Sequence, residues 1–328
     1  MNYPIIYHPR LSPTWKDFGI LIPLSGQRSK KVFTSLKKLG HKLEESDLKN
    51  LPKLSKEDLK LAHDTEFIER LFSQGLFKEF TDCFELIDEN GNYNRYDPQS
   101  AKKELTEFMD EILCHLAGTS YTIDLALQNE FCYFLGGGMH HARKDKGAGF
   151  CILNDMILGI KKAQSEKKIE TCWVIDVDAH KGDGTAHMTV NDPSILTLSL
   201  HMEKGWPLDH PDPDHPSKSP STIDIELNSR NSQNYNLLLK EGLENLLKVQ
   251  GSMPDLIIVN DGADPYEFDE LPSTSLLKLS KEVLLERDQI IFNFAKERRI
   301  PQAWVMSGGY GQRSHEIYVQ FLDWVLNL

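Results

Sequence analysis

Cys172-Trp-Val-Ile-Asp-Val-Asp-Ala-His180 begins as a strand and ends in carboxylates and an imidazole. Residues 172–176 are nearly continuous in apolar character, as expected of a strand covered on both faces. Runs of the same kind recur at 131–135, 195–200, 255–260 and 303–307. Between and after them, residues 155–165, 233–249, 274–298 and 314–326 carry helical period and length. A longer helical stretch, about 101–128, precedes the first run. Strands alternating with helices predict an α/β protein: a three-layer sandwich with a mostly parallel central sheet between helices. Before residue 100 the pattern is weaker, with helices expected at 29–39 and 55–63 and a polar surface loop at 88–98. No repeat or linker interrupts the chain, so residues 1–328 are expected to form a single domain.

In an open α/β sheet, ligands bind beyond the carboxyl ends of the strands. Four of the expected strands end in chemistry-bearing residues. The first is followed by Gly136-Gly-Gly-Met-His140-His141, and the second by Asp176-Val-Asp178-Ala-His180-Lys-Gly-Asp183. Asn260-Asp261-Gly-Ala-Asp264 follows the fourth, and Ser307-Gly308-Gly-Tyr310 the fifth. In extended backbone, residues two apart share a side, so Asp178 and His180 can reach one point. With Asp264 they make three N and O donors, the set of a catalytic zinc site that keeps an open position. His140 and His141 suit general acid–base work near neutral pH, and Asp176 and Asp183 can orient them. Tyr310, after its glycine pair, can serve as an oxyanion donor. Each motif alone also fits a plain turn or a helix cap. Their convergence on one sheet edge is what favours a site.

Composition narrows the class. Lys and Arg number 37 against 49 Asp and Glu, a net charge of -12, which argues against direct nucleic-acid binding. An acidic surface still suits a basic protein or peptide as substrate. The five cysteines are odd in number and form no CxxC pair, which suits a reducing, cytoplasmic setting. No apolar run nears the ~18 residues of a membrane span, and no secretory signal pattern opens the sequence. Residues 206–216, WPLDHPDPDHP, hold four prolines and read as a solvated loop at the rim of the site.

In order and spacing, GGGMHHA (136–142), GFCILND (149–155), VIDVDAHKGDGT (174–185), IIVNDGADPYEFDEL (257–271) and WVMSGGYGQR (304–313) resemble the zinc-dependent histone deacetylase family of the arginase–deacetylase fold. The likeness runs from about residue 116 to the end and continues more thinly into IIYHPRL (5–11) and LAHDTEFIERL (61–71). The closing segment, LLERDQIIFNFAKERRIP (284–301), looks most like the class IV branch and its bacterial relatives.

The resemblance implies that Asp178, His180 and Asp264 hold zinc, and that His141 shuttles the proton beside His140. Asp183 and Asp176 would orient the two histidines, and Tyr310 would polarise the substrate carbonyl. Asp176, Asp178, His180, Ser199 and Leu200 fall where the family binds a structural potassium ion. Gly149, Phe150, Trp206, Leu271 and Gly308 fall along the acyl-lysine channel. The implied activity is removal of acyl groups from lysine side chains of proteins or peptides. One rival is an acetylpolyamine amidohydrolase using the same chemistry. Another is a non-catalytic acyl-lysine reader with a degenerate site.

Overall fold

The computed structural model describes residues 3–12, 14–23 and 27–328. Seven parallel strands form one sheet: β1 (Ile5–Ile6), β2 (Phe131–Phe134), β3 (Cys172–Asp176), β4 (Ile195–Met202), β5 (Ile223–Leu227), β6 (Leu256–Asp261) and β7 (Gln302–Met306). Their spatial order is β1-β2-β7-β6-β3-β4-β5, with every pairing parallel. The expected α/β sandwich is therefore present. Two strands are additional to the five expected from the sequence, β1 and β5, one at each edge.

Alternation along the strands divides the core between the two faces of the sheet. Trp173, Ile175, Ile257, Val259 and Trp304 belong to one buried cluster, with side chains from helices Arg28–Lys38, Tyr235–Gln250, Lys281–Glu297 and His315–Leu326. Cys172, Val174, Ile258 and Val305 belong to the other, with helices Phe108–Asn129 and Asp155–Ser165. Both faces are covered, which is why the central strands read as apolar runs without polar alternation.

Three expected helices come out shorter, the 101–128 stretch being α-helical only over Phe108–Asn129. The 55–63 stretch is helical only over Lys56–Leu59, behind the capping box of Ser55 and Asp58. The 274–298 stretch is helical only over Lys281–Glu297, because Leu279 bridges to Tyr266 and Ser280 caps the helix by accepting from the Val283 N–H. The segment before it becomes a wall of the site.

Chain direction reverses between β3 and β6. From β3 the chain runs outward to β4 and β5, whereas β7 lies on the far side of β6. The carboxyl ends of β3 and β6 therefore open onto a crevice, the place such sheets bind ligands. Asp176 at the end of β3 pairs in register with Asn260 of β6 and Ser199 of β4.

Candidate active site and metal centre

Asp178 and His180 leave β3, and Asp264 leaves β6, all three buried. One ligand atom from each lies within 4.8 Å of the others. His180 Nδ1 stands 3.1 Å from Asp178 Oδ1 and 3.1 Å from Asp264 Oδ2. Neighbouring groups fix the carboxylates from behind. Asp178 Oδ2 accepts from the Gly308 N–H at 2.9 Å and the Ser307 hydroxyl at 3.1 Å, and Asp264 Oδ1 accepts from the Ala179 N–H at 2.9 Å. Gly308 is required by space: an added Cβ would meet Asp178 Oδ2 at 2.3 Å. Asp264 Oδ2, fully buried, accepts no hydrogen bond among the described residues.

Electrostatics give the cluster the character of a cation site. Burial, and then the Asp178 charge, push Asp264 up to about 7. Burial opposes a charged His180, yet the adjacent carboxylates of Asp178 and Asp264 push it up to about 10. Two buried carboxylates and an imidazole nitrogen aimed at one point draw positive charge to it, and without a metal ion that charge is the proton on His180. A divalent metal ion satisfies all three at once.

The two histidines flank this cluster with their rings 3.9 Å apart. His140 Nδ1 lies 2.7 Å from Asp176 Oδ2, and His141 Nδ1 lies 2.8 Å from Asp183 Oδ1. With Nδ1–H given to a carboxylate, each ring keeps Nε2 for chemistry. Their environments push them apart. Burial lowers His140, but Asp176 and Asp178 overcome this and hold it up to about 9. Burial, joined by the His140 charge, holds His141 down to about 4. The two environments favour a proton on His140 and a neutral His141, the direction expected of a paired acid and base.

His140, His141, Gly149, Phe150, Asp178, Gly308 and Tyr310 line one cavity of about 90 Å³. Burial, and then the charges of Asp178 and Asp264, raise the Tyr310 hydroxyl well above its ordinary value, so it remains a donor. Trp206 meets His141 edge-on at 4.4 Å and His180 at 5.8 Å. Gly149, at φ +55°, makes room for it, since a Cβ there would come 2.3 Å from the indole. The loop expected to be solvated is exposed over 211–214, but its first residue reaches the site.

Ser199 and Leu200 are buried behind the cluster, and Ser199 Oγ has no hydrogen-bond partner among the described residues. Leu271 is half-buried at the edge of the site and does not line the cavity. Cys151 lines the cavity, but burial pushes its thiol up, so it is no ready nucleophile.

Several contributors were not identified in the sequence. Asn260 donates to Asp176 Oδ1 at 2.8 Å, Ser273 lies 3.1 Å from His180 Nε2, and Asp269 accepts from the Tyr310 N–H at 2.7 Å. Arg287, wholly buried, donates to the carbonyls of Val177 and Gly262 at 3.2 and 2.7 Å and pairs with Asp261 and Asp288. It ties together the two segments that carry the candidate metal ligands. Arg287→Met is expected to cost about 3–5 kcal/mol, because two carboxylates are left buried without their cation. Urea unfolding measures this, and a loss below about 1 kcal/mol, the level of an exposed pair, contradicts it.

Comparison with known proteins agrees with this geometry. A family model described as the histone deacetylase domain matches residues 22–322. An uncharacterized protein of Picosynechococcus sp. is 31% identical over 206 residues, 62% of this chain and 64% of its own length. Histone deacetylase 2 of Arabidopsis thaliana is 29% identical over 211 residues, 63% of this chain and 51% of its own. Histone deacetylase B of Dictyostelium discoideum is 31% identical over 193 residues, 54% of this chain and 41% of its own. The matched stretches thus span from 41% to 64% of these relatives. With the family model covering nearly the whole sequence, the chain belongs to the histone deacetylase family.

Proposed function

We propose that this protein is a zinc-dependent amidohydrolase that removes acyl groups from lysine side chains of proteins or peptides. The observation that carries the reading is the convergence of two His–Asp pairs and Tyr310 on the Asp178–His180–Asp264 cluster. When bound there, zinc supplies a Lewis acid that polarises an amide carbonyl and acidifies water. His141, neutral and oriented by Asp183, takes the proton of the attacking water and returns it to the leaving lysine amine. His140 stays charged against Asp176 and steadies developing negative charge. Tyr310 donates its hydroxyl to the oxyanion. Phe150 and Trp206 supply aromatic walls for the lysine stem.

Ser199 Oγ, buried without a partner among the described residues, supports a structural potassium ion held with Asp176, Asp178, His180 and Leu200. We read the chain as cytoplasmic, since all five cysteines are free. No helix among the described residues is long and apolar enough to cross a membrane. The likeness to the class IV branch rests on the closing segment alone.

Substrate class turns on one loop. A polyamine enzyme needs negative charge beside the channel to hold a second ammonium. Leu271 is apolar, and Glu270 accepts from the Gln312 N–H at 3.1 Å on the exposed side. Acyl-lysine peptides are therefore expected to be turned over better than N-acetylputrescine or acetylspermidine, with Leu271→Glu narrowing the gap. Comparing kcat/KM across acetyl-, butyryl-, octanoyl- and myristoyl-lysine peptides and the free polyamines tests this. A higher value for a polyamine than for every peptide overturns it. Binding of acyl-lysine without any turnover would favour the reader.

A further inference from the structure

Beside the active site lies a second cavity of about 440 Å³, with Gly149, Asp183 and Trp206 in its wall. Arg143 also lines it. That arginine is 5% exposed, and its Nε has no hydrogen-bond partner among the described residues. No described carboxylate lies within ion-pair distance of its guanidinium. Its backbone is pinned on both sides, the N–H to the Lys146 carbonyl at 2.9 Å and the carbonyl to His63 Nδ1 at 2.9 Å. The main chain at Arg143 is therefore fixed beside the cavity, and a guanidinium stays protonated in proteins. Arginine is rarely so deeply buried unless it is paired.

The other charges in this cavity do not supply the missing partner. Glu79 is paired with Arg70, Asp82 with Lys78 and Glu85 with Arg95, while Asp183 is bonded to His141. Asp145, Asp209 and Lys146 are exposed at the mouth. His210 and His215, with rings stacked at 3.6 Å, complete the wall. The positive field is felt at His215, which burial first and the Arg143 charge next hold below the ordinary imidazole value.

We propose that this cavity is an oxyanion site, in which Arg143 binds a phosphate or carboxylate group, assisted by His210 and His215. Guanidinium matches both groups with paired N–H donors. The site stands apart from the deacylase reading, because binding is measured without turnover.

The test is titration of the whole protein with inorganic phosphate and, separately, acetate, against chloride at equal ionic strength. Calorimetry and thermal unfolding are the readouts. Wild type is expected to bind at one site, with Tm rising by about 2–4 °C near saturation. Arg143→Met is expected to abolish binding and to raise Tm in chloride, since it removes an unpaired buried charge. Should that variant not fold, Arg143→Lys is read instead, with affinity expected to fall about tenfold as the paired donors are lost. Displacement of phosphate by an acyl-lysine peptide with an acidic neighbour, and not by a neutral one, identifies the substrate as the source of the anion. No displacement identifies a free anion. Absence of saturable binding in wild type, or binding unchanged in the arginine variants, overturns the proposal.

Discussion

Asp264→Ala is expected to lose its metal and its turnover together. Removing the side chain takes away one of three buried donors, along with the bond from the Ala179 N–H that holds the β3 and β6 ends in register. Groups that merely orient metal ligands already cost about 10–100-fold in affinity or activity when removed, so loss of a ligand is expected to exceed about 100-fold. Asp264→Asn separates metal loss from misfolding, because it keeps the shape and removes the charge. Metal content by elemental analysis, with kcat/KM on an acetyl-lysine peptide, reads both effects. Wild-type zinc content and turnover in either variant would remove Asp264 from the ligand set.

Tyr310→Phe is expected to fall in kcat by about 10²–10³, with KM nearly unchanged, the loss found when one oxyanion donor is removed. The ring remains, so its edge contact with His180 at 6.5 Å survives and folding is undisturbed. Only the hydroxyl goes. The separation of kcat from KM matters, because a ring that only lined the channel would alter KM. An unchanged kcat excludes Tyr310 from the chemistry.

The central sheet was legible because β2, β3, β4, β6 and β7 are covered on both faces and so appear as apolar runs. The edges were not. β1 contains two residues, too few for a pattern, and β5 reads Ile-Asp-Ile-Glu-Leu, half-exposed at the sheet margin. Helices Thr65–Leu71, Leu76–Cys83 and Asp183–Thr189 are short, and their apolar residues are few against the loops around them.

The convergence of Asp178, His180 and Asp264 beside the histidine pair was legible for a different reason. Parallel strands deliver their carboxyl ends to one side, so motifs far apart in sequence share an address. Ser273 and Arg287 carry no such mark. Each acts through a contact with residues distant in the chain, and no spacing in the sequence encodes that contact. The Trp206 loop shows the limit most clearly. Its prolines and aspartates correctly indicate an exposed segment, yet its first side chain packs against His141.

The account is tested most directly by stripping the purified protein with a chelator and assaying it on an acetyl-lysine peptide before and after zinc is returned. Turnover should vanish on stripping and return with one equivalent of zinc in wild type, and should not return in Asp264→Asn. Full activity in the stripped protein, or no turnover of any acyl-lysine peptide by the zinc-loaded protein, would contradict it.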